Sequence, residues 1–253
     1  MKTITFIGNG NMALSIAKGL KERFKIEVVG RDMAKLDTFE KKLDCSVEKH
    51  LLYGFDTTDK TIILCVKPNN IEEIAQSIQG TPDTLYSVLA GTSIQKLKEC
   101  FKTSAIVRAM PNLAASVHHS MTTLTGNSSL QEEAQAIFSA IGPTLWLGNE
   151  KELDIATALA GSGPAYLALI AEALADGAVK QGLKRNDAMT IMRGLFGGFG
   201  KLIQEQHPAL LKDGVMSPGG TTAAGYAALE DGGVRSACID AIEKAYTKAT
   251  KLK

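Results

Sequence analysis

Thr3-Ile4-Thr5-Phe6-Ile7 runs directly into Gly8-Asn9-Gly10-Asn11-Met12-Ala13. The first five residues are β-branched or aromatic and read as a strand, and a helical pattern follows over Met12–Phe24. Between strand and helix stands the G-x-G-x-x-A form of the dinucleotide-binding fingerprint. Gly8 permits a tight turn, Gly10 lets the backbone approach phosphate oxygens, and Ala13 keeps the helix close to the sheet. A pyrophosphate would rest on free N–H groups at the helix start, where the dipole favours negative charge. Gly8, Asn9, Gly10, Asn11 and Met12 are therefore expected to bind cofactor.

The second strand ends in Val28-Val29-Gly30-Arg31. Sites that prefer NAD usually place a carboxylate here, on the ribose 2′-hydroxyl. This chain offers Arg31, with Lys35 one helical turn on. A guanidinium can hold a 2′-phosphate bidentately, whereas a carboxylate would repel it. NADPH is the expected cofactor, with NADH a weaker alternative. Asp32 can cap the next helix or reach the ribose.

Outward from this unit, strands are predicted over Thr3–Ile7, Glu27–Val29, Thr61–Val66, Leu85–Leu89, Ala105–Ala109, Met121–Thr125 and Thr144–Leu147. Helices are predicted over Met12–Phe24, Met33–Leu43, Ile71–Ile78, Ile94–Cys100 and Gln131–Ala140, the last opened by a capping box of Ser129 and Glu132. Such alternation implies a parallel sheet with helices on both faces. Beyond about Glu150 strand signals vanish. Helices are predicted over Asp154–Ala160, Ala165–Gln181, Asn186–Gln206, Thr222–Glu230 and Val234–Lys251. The expected fold is a Rossmann-like α/β domain over 1–149 followed by an all-α domain over 150–253. Broad apolar stripes, and Gly194, Gly197, Gly198 and Gly200 crowded on one helix, suggest close helix–helix approach and oligomerisation.

Over 253 residues the net charge is only +1, which points away from nucleic acid and anionic membrane. The apolar run Ala165–Ala175 carries Glu172 and is too short to span a bilayer. Four scattered cysteines suit reduced thiols in a cytoplasmic protein, and the histidine spacing suggests no metal site.

Two loops in the helical half lead into helices: Gly161-Ser162-Gly163-Pro164-Ala165-Tyr166 and Ser217-Pro218-Gly219-Gly220-Thr221-Thr222. The N–H groups of Gly220, Thr221 and Thr222 can converge as an anion nest, with two hydroxyls beside it, suited to a small carboxylate. A well-capped helix start reads equally well from spacing alone.

The chain resembles the Δ1-pyrroline-5-carboxylate reductases along nearly its whole length. The matching segments are Ile7–Ala13 (IGNGNMA), Cys65–Pro68 (CVKP), Leu89–Ile94 (LAGTSI), Val107–Asn112 (VRAMPN), Ala160–Tyr166 (AGSGPAY), Glu172–Leu183 (EALADGAVKQGL) and Ser217–Gly225 (SPGGTTAAG). It departs after Pro111-Asn112, where the family commonly continues Thr-Pro and this chain has Leu113-Ala114 and later Ser120. The resemblance implies that Val66, Lys67 and Pro68 lie beside the nicotinamide ribose, Ala90 and Gly91 under the cofactor, and Asn112 in the segment lining the nicotinamide cleft. It implies that Ser217, Gly219, Gly220, Thr221 and Thr222 bind the substrate carboxylate and ring nitrogen. It also implies a homodimer through the helical domain, with decamers common in the family.

The implied reaction reduces 1-pyrroline-5-carboxylate to L-proline. The carboxylate must be held so that the imine carbon sits within roughly 3–3.5 Å of the hydride donor. Thr222 is the expected catalytic residue, its hydroxyl orienting the ring nitrogen or relaying a proton. Glu172 and Lys67 are weaker candidates as the proton source, Glu172 reading better as a helix-surface charge and Lys67 equally well as a strand-end charge. The alternatives are a β-hydroxyacid dehydrogenase using Lys180, a reductase of a related cyclic imine, and a non-catalytic NADP(H) sensor.

Overall fold

The computed structural model describes residues 1–251. They form two compact units: Met1–Ser162 together with the residues from Lys244, and Gly163–Glu243.

The first unit is built on an eight-stranded sheet. In chain order it carries β1 (Thr3–Ile7), α1 (Asn11–Leu20), β2 (Lys25–Gly30), α2 (Met33–Leu43), β3 (Glu48–Leu51), β4 (Phe55–Asp56), β5 (Thr61–Leu64), α3 (Ile71–Ser77), β6 (Ile78–Gln79) and β7 (Thr84–Ser87). Then come α4 (Ile94–Phe101), β8 (Ile106–Met110), β9 (Thr122–Gly126), α5 (Gln131–Phe138), β10 (Thr144–Trp146) and α6 (Glu150–Ala156). The strand order is β10-β9-β8-β7-β5-β1-β2-β3, with β4 and β6 paired apart. From β3 to β8 this is the doubly wound order of dinucleotide-binding sheets, and the crevice opens beyond the carboxyl ends of β1 and β5.

Both faces of the sheet are covered. Ile4 and Phe6 pack with Ala13, Ile16, Ala17 and Leu20 of α1 on one face. Ile7, Ile62 and Leu64 pack with Ile71, Ile74, Leu97 and Phe101 on the other. Alternation along each strand sends neighbouring apolar residues to opposite cores, and each such side chain contributes about 1.5–3 kcal/mol on burial.

Three details depart from the sequence expectation. First, the sheet is mixed, because β9 runs antiparallel to β8. Only a short 3₁₀ turn, Leu113–Val117, and a few residues separate them, too little chain for a parallel crossover. Second, the Ser129–Glu132 capping box does not form. Asn127 accepts from Ser129 N at 3.0 Å and opens a 3₁₀ turn, Ser128–Leu130, ahead of α5. Third, β3, β4 and β6 were not predicted.

α6 packs against β9 and is tied to β8 from within the core. Arg108, fully buried, donates to Glu150 at 2.8 Å and to Asp154 at 3.2 Å. Glu150 also accepts from Ile94 N at 3.0 Å, so one carboxylate joins β8, the start of α4 and the start of α6. A π turn, Thr157–Gly161, follows.

The second unit is helical: α7 (Gly163–Lys180), α8 (Arg185–Glu205), α9 (Pro208–Val215), α10 (Thr221–Asp231) and α11 (Val234–Thr250), the last reaching into the residues counted with the first unit. α9 was not predicted. Pro208 stands in its first turn, where no N–H is needed, and His207 Nδ1 accepts from Ala209 N at 3.2 Å. Few side chains here are buried. Leu167, Leu169, Ile191, Leu195 and Leu202 are all more than half exposed. Among the described residues, a Cβ added at Gly194, Gly197, Gly198 or Gly200 would meet no atom within 4 Å, so no described helix packs closely on them.

The helix carrying Ala165–Ala175 is longer than expected. Helical structure continues through the π turn, giving a run over Glu150–Lys180 of 31 residues, long and apolar enough to cross a bilayer by length and composition alone. Leu153 and Asp154 at its start are nonetheless buried in the first unit.

Candidate active site

The turn after β1 is fixed by backbone alone. Gly8 has φ +108°, and its N–H donates to Val29 O at 2.9 Å. A Cβ at Gly8 would lie 2.4 Å from Cys65 O, so the two parallel strands β1 and β5 close over this residue only because it is glycine. Gly10 differs: a Cβ there would meet nothing within 4 Å, and the residue opens α1 with no side-chain cap. The first N–H groups of α1 thus point into open space with no side chain competing for them. Such a cradle fits a pyrophosphate by donor chemistry and by room.

The cradle forms one wall of a cavity of about 480 Å³. Gly8, Asn9, Gly10, Asn11, Met12, Arg31, Val66 and Lys67 all line it, as do Ile7, Val29, Gly30, Leu52, Cys65, Asn70, Ile74 and Val88. Arg31 follows the end of β2 and is well exposed, its guanidinium 3.1 Å from Glu73 of α3. Asp32, beside it, caps α2: its carboxylate accepts from Ala34 N at 2.9 Å and Lys35 N at 3.4 Å. That resolves the choice left open by the sequence in favour of the cap. Burial in an apolar wall pushes the Cys65 thiol far above its ordinary range, so it stays protonated.

Pro68, Ala90, Gly91 and Asn112 do not line this cavity. Pro68 opens the 3₁₀ turn Pro68–Asn70 that brings Asn70 to the wall. Ala90 is exposed in the turn after β7, and Gly91 there has φ +70°. The Asn112 side chain is engaged by backbone on both sides: Oδ1 accepts from Ala114 N at 3.0 Å and Nδ2 donates to Ala160 O at 3.0 Å. Its own N–H donates to Ser120 Oγ at 2.9 Å. Ser120, which departs from the family pattern, is fully buried and holds the loop in place, while Leu113 is exposed.

In the second unit, Ser217–Gly220 form a tight turn. Pro218 takes the second position, Gly219 the third with φ +70°, and Gly220 N donates to Ser217 O at 3.0 Å, the pattern of a type II turn. A Cβ at Gly220 would lie 2.5 Å from Ser217 Oγ. Gly220 opens α10 without a side-chain cap, and Thr221 and Thr222 are exposed in its first turn. The sequence fold thus places Ser217, Gly219, Gly220, Thr221 and Thr222 around one uncapped helix start. Glu172 is exposed on α7.

The known proteins that match this chain decide between the alternatives. Residues 150–252 match the family described as pyrroline-5-carboxylate reductase dimerisation, and residues 3–91 match that described as NADP oxidoreductase coenzyme F420-dependent. The chain is 42% identical over 201 residues to the pyrroline-5-carboxylate reductase of Synechocystis sp., covering 76% of this chain and 75% of that protein. The chain belongs to the pyrroline-5-carboxylate reductase family. The 1-pyrroline-5-carboxylate reductase structure from Streptococcus pyogenes superposes with a TM-score of 0.85 at 30% identity, covering 98% of both chains. A Plasmodium falciparum pyrroline carboxylate reductase, solved with NADP bound, superposes at 0.81 and 25% identity over 100% of this chain and 99% of that one. The chain is accordingly an NAD(P)-dependent oxidoreductase of Rossmann-like α/β and helical architecture.

Sequence reasoning missed several wall residues. Leu52 comes from the stretch 47–59, which matches no motif, and is placed by its N–H donating to Gly30 O at 2.9 Å. Asn70 and Ile74 follow CVKP in the chain and could have been found by extending that motif one helical turn. Away from the cavity, Glu27, Glu48 and His50 bring ligand-type atoms within 4.8 Å of one another, a grouping that no sequence spacing suggested. Glu27 there accepts from Thr5 and, at 3.0 Å, from Lys60, so an ammonium already balances its charge.

Proposed function

We propose that this member of the reductase family reduces the C=N bond of 1-pyrroline-5-carboxylate to give L-proline, drawing on NADPH in preference to NADH. The observation that carries the reading is the uncapped, Cβ-free cradle at Gly8–Met12 with Arg31 at the rim of the same cavity, in a chain that matches the family from end to end.

When bound, the reduced dinucleotide supplies the hydride. The chain's own residues bind and orient. The first N–H groups of α1 hold the pyrophosphate, and Val66 and Lys67 line the same cavity. Arg31 presents its planar fork to the 2′-phosphate, while Asp32 is occupied as the cap of α2; the acid that meets the guanidinium is Glu73, at 3.1 Å. Ala90, Gly91, Pro68 and Asn112 act by shaping the strand-end loops.

The start of α10 takes the substrate carboxylate on the N–H groups of Thr221 and Thr222, with the hydroxyls of Ser217 and Thr221 beside them; the Gly220 N–H, expected to share in the nest, is instead spent closing the turn on Ser217 O at 3.0 Å. The Thr222 hydroxyl is hydrogen-bonded to the ring nitrogen, donating to the neutral imine and accepting from the N–H of the protonated one. A hydroxyl is a weak acid, so it orients the ring while the proton comes from water or from an already protonated substrate.

The dimerisation match begins at residue 150, which supports a division of labour at 149/150, although the compact units part at 162/163. The exposed leucines of α7 and α8 and the open glycines of α8 suit a homodimer, with decamers a further state. That pairing accounts for the apolar length of Glu150–Lys180 without a membrane, in a cytoplasmic enzyme.

The test is direct. Purified protein is mixed with NADPH and 1-pyrroline-5-carboxylate, and loss of reduced-cofactor absorbance is followed against proline formed. Stoichiometric conversion is expected. Folded protein that consumes no cofactor would overturn the reading.

A further inference from the structure

Arg31, which lines the dinucleotide cavity, is ion-paired to Glu73. Arg31 lines that cavity from the end of β2, and Glu73 stands on α3 between two other wall residues, Asn70 and Ile74. One guanidinium nitrogen lies 3.1 Å from Glu73 Oε1 and 3.5 Å from Oε2. Both side chains are more than half exposed, so nothing but the pair itself holds them together. The other acid beside Arg31, Asp32, is occupied by the start of α2. The nearest further cation in sequence, Lys35, is exposed on the first turn of that helix.

We propose that Glu73 sets the discrimination between NADPH and NADH by competing with the 2′-phosphate for Arg31. This rests on the reading of Arg31 as the phosphate ligand. Arg31 can offer its full fork to a phosphate only after releasing Glu73, and the carboxylate left behind stands beside an incoming group of like charge. A free 2′-hydroxyl needs neither the release nor the charge. Glu73 therefore taxes one cofactor and not the other.

The sizes are bounded. An exposed ion pair holds back little, so the expected gain for NADPH on removing the carboxylate is about two- to five-fold in KM. Charge-to-charge competition is screened by salt, so the gain shrinks as ionic strength rises towards about 1 M.

The experiment uses the full-length enzyme and four proteins: wild type, Glu73→Gln, Arg31→Ala and the double variant. KM and kcat are measured for NADPH and NADH at low and high salt, with thermal melting to confirm folding. Glu73→Gln is expected to lower the KM for NADPH by about two- to five-fold, leave that for NADH unchanged, and have no effect when Arg31 is already alanine. An equal change for both cofactors, no change for NADPH, or the same gain in the Arg31→Ala background would overturn the role of Glu73. Arg31→Ala reports separately on the underlying reading. If it weakens both cofactors alike, Arg31 is not the phosphate ligand and the proposal falls with it. If it weakens NADPH alone while Glu73→Gln changes nothing, only the role of Glu73 is lost.

Discussion

A Cβ built on Gly8 would stand 2.4 Å from the carbonyl oxygen of Cys65, whereas one built on Gly10, two residues on, would touch nothing. The two glycines of the fingerprint therefore serve different ends, and substitution separates them. Gly8→Ala must move a backbone carbonyl in β5 and force alanine to φ +108°, a strain of roughly 1–3 kcal/mol before any clash. It is expected to lower the melting temperature of the cofactor-free protein. Gly10→Ala is expected to melt with the wild type and to fail in cofactor binding, since its methyl occupies the approach of the phosphates. A cofactor-free Gly10→Ala protein that unfolds as readily as Gly8→Ala would remove the distinction.

Arg31→Ala should weaken NADPH far more than NADH. Charge-assisted hydrogen bonds are worth about 1.5–3 kcal/mol, which is roughly 10- to 100-fold in KM. The measurement is the ratio of the two cofactors' KM values in the variant against wild type. An unchanged ratio would show that the rim guanidinium does not read the 2′ position.

Thr222→Ala removes an exposed hydroxyl from the first turn of α10 without touching the turn at Ser217–Gly220. A loss of at least about 10-fold in kcat is expected, where loss of a positioned donor at a reacting centre typically costs about 10²–10³. Cofactor affinity should be kept. Turnover at the wild-type rate would take Thr222 out of the mechanism.

Much of this was legible in the chain, and the exceptions share a cause. β1, α1 and α2 announce themselves by local pattern: Met33–Leu43 is a helix to the residue because Asp32 caps it and its apolar face repeats at helical spacing. β3 does not. Glu48-Lys49-His50-Leu51 has no strand alternation, and it is extended because it pairs along β2, His50 opposite Val29. The wall residue Leu52 follows from that pairing. α9 was hidden because Pro208 reads as a break, although proline is at ease in a first turn. In the candidate site, the Gly8–Met12 turn that lines the cavity was legible from its spacing, because it is built by backbone. Asn112 was assigned to the cofactor by motif, and its amide is engaged by Ala114 and Ala160. No spacing rule reports a contact between residues so far apart in the chain.

The helical unit should show its own acid sensitivity. Arg235, and then the Tyr226 hydroxyl, hold the Glu230 carboxyl down to about 2. A carboxyl with a folded value below its unfolded one, ordinarily about 4.3, stabilises above the unfolded value and loses that contribution as pH falls towards the folded one. The wild-type melting temperature should exceed that of Glu230→Gln at pH 6, and the gap should close between pH 4 and pH 2. Because the pair is exposed, added salt should narrow it as well. A gap independent of pH would show that the carboxylate charge is not what matters.

The buried tie at Arg108 bears on where the molecule can be cut. A polypeptide ending at 149 keeps the guanidinium in the core and discards both of the carboxylates that face it, Glu150 and Asp154. Stranding a buried charge costs about 3–5 kcal/mol, a large share of what a domain this size has to lose. The same cut frees Ile94 N, so the α4 end of the sheet would loosen with it. A severed nucleotide-binding half should therefore be soluble and cooperative when it stops at 162, and aggregate or melt early when it stops at 149, even though the shorter piece contains every strand.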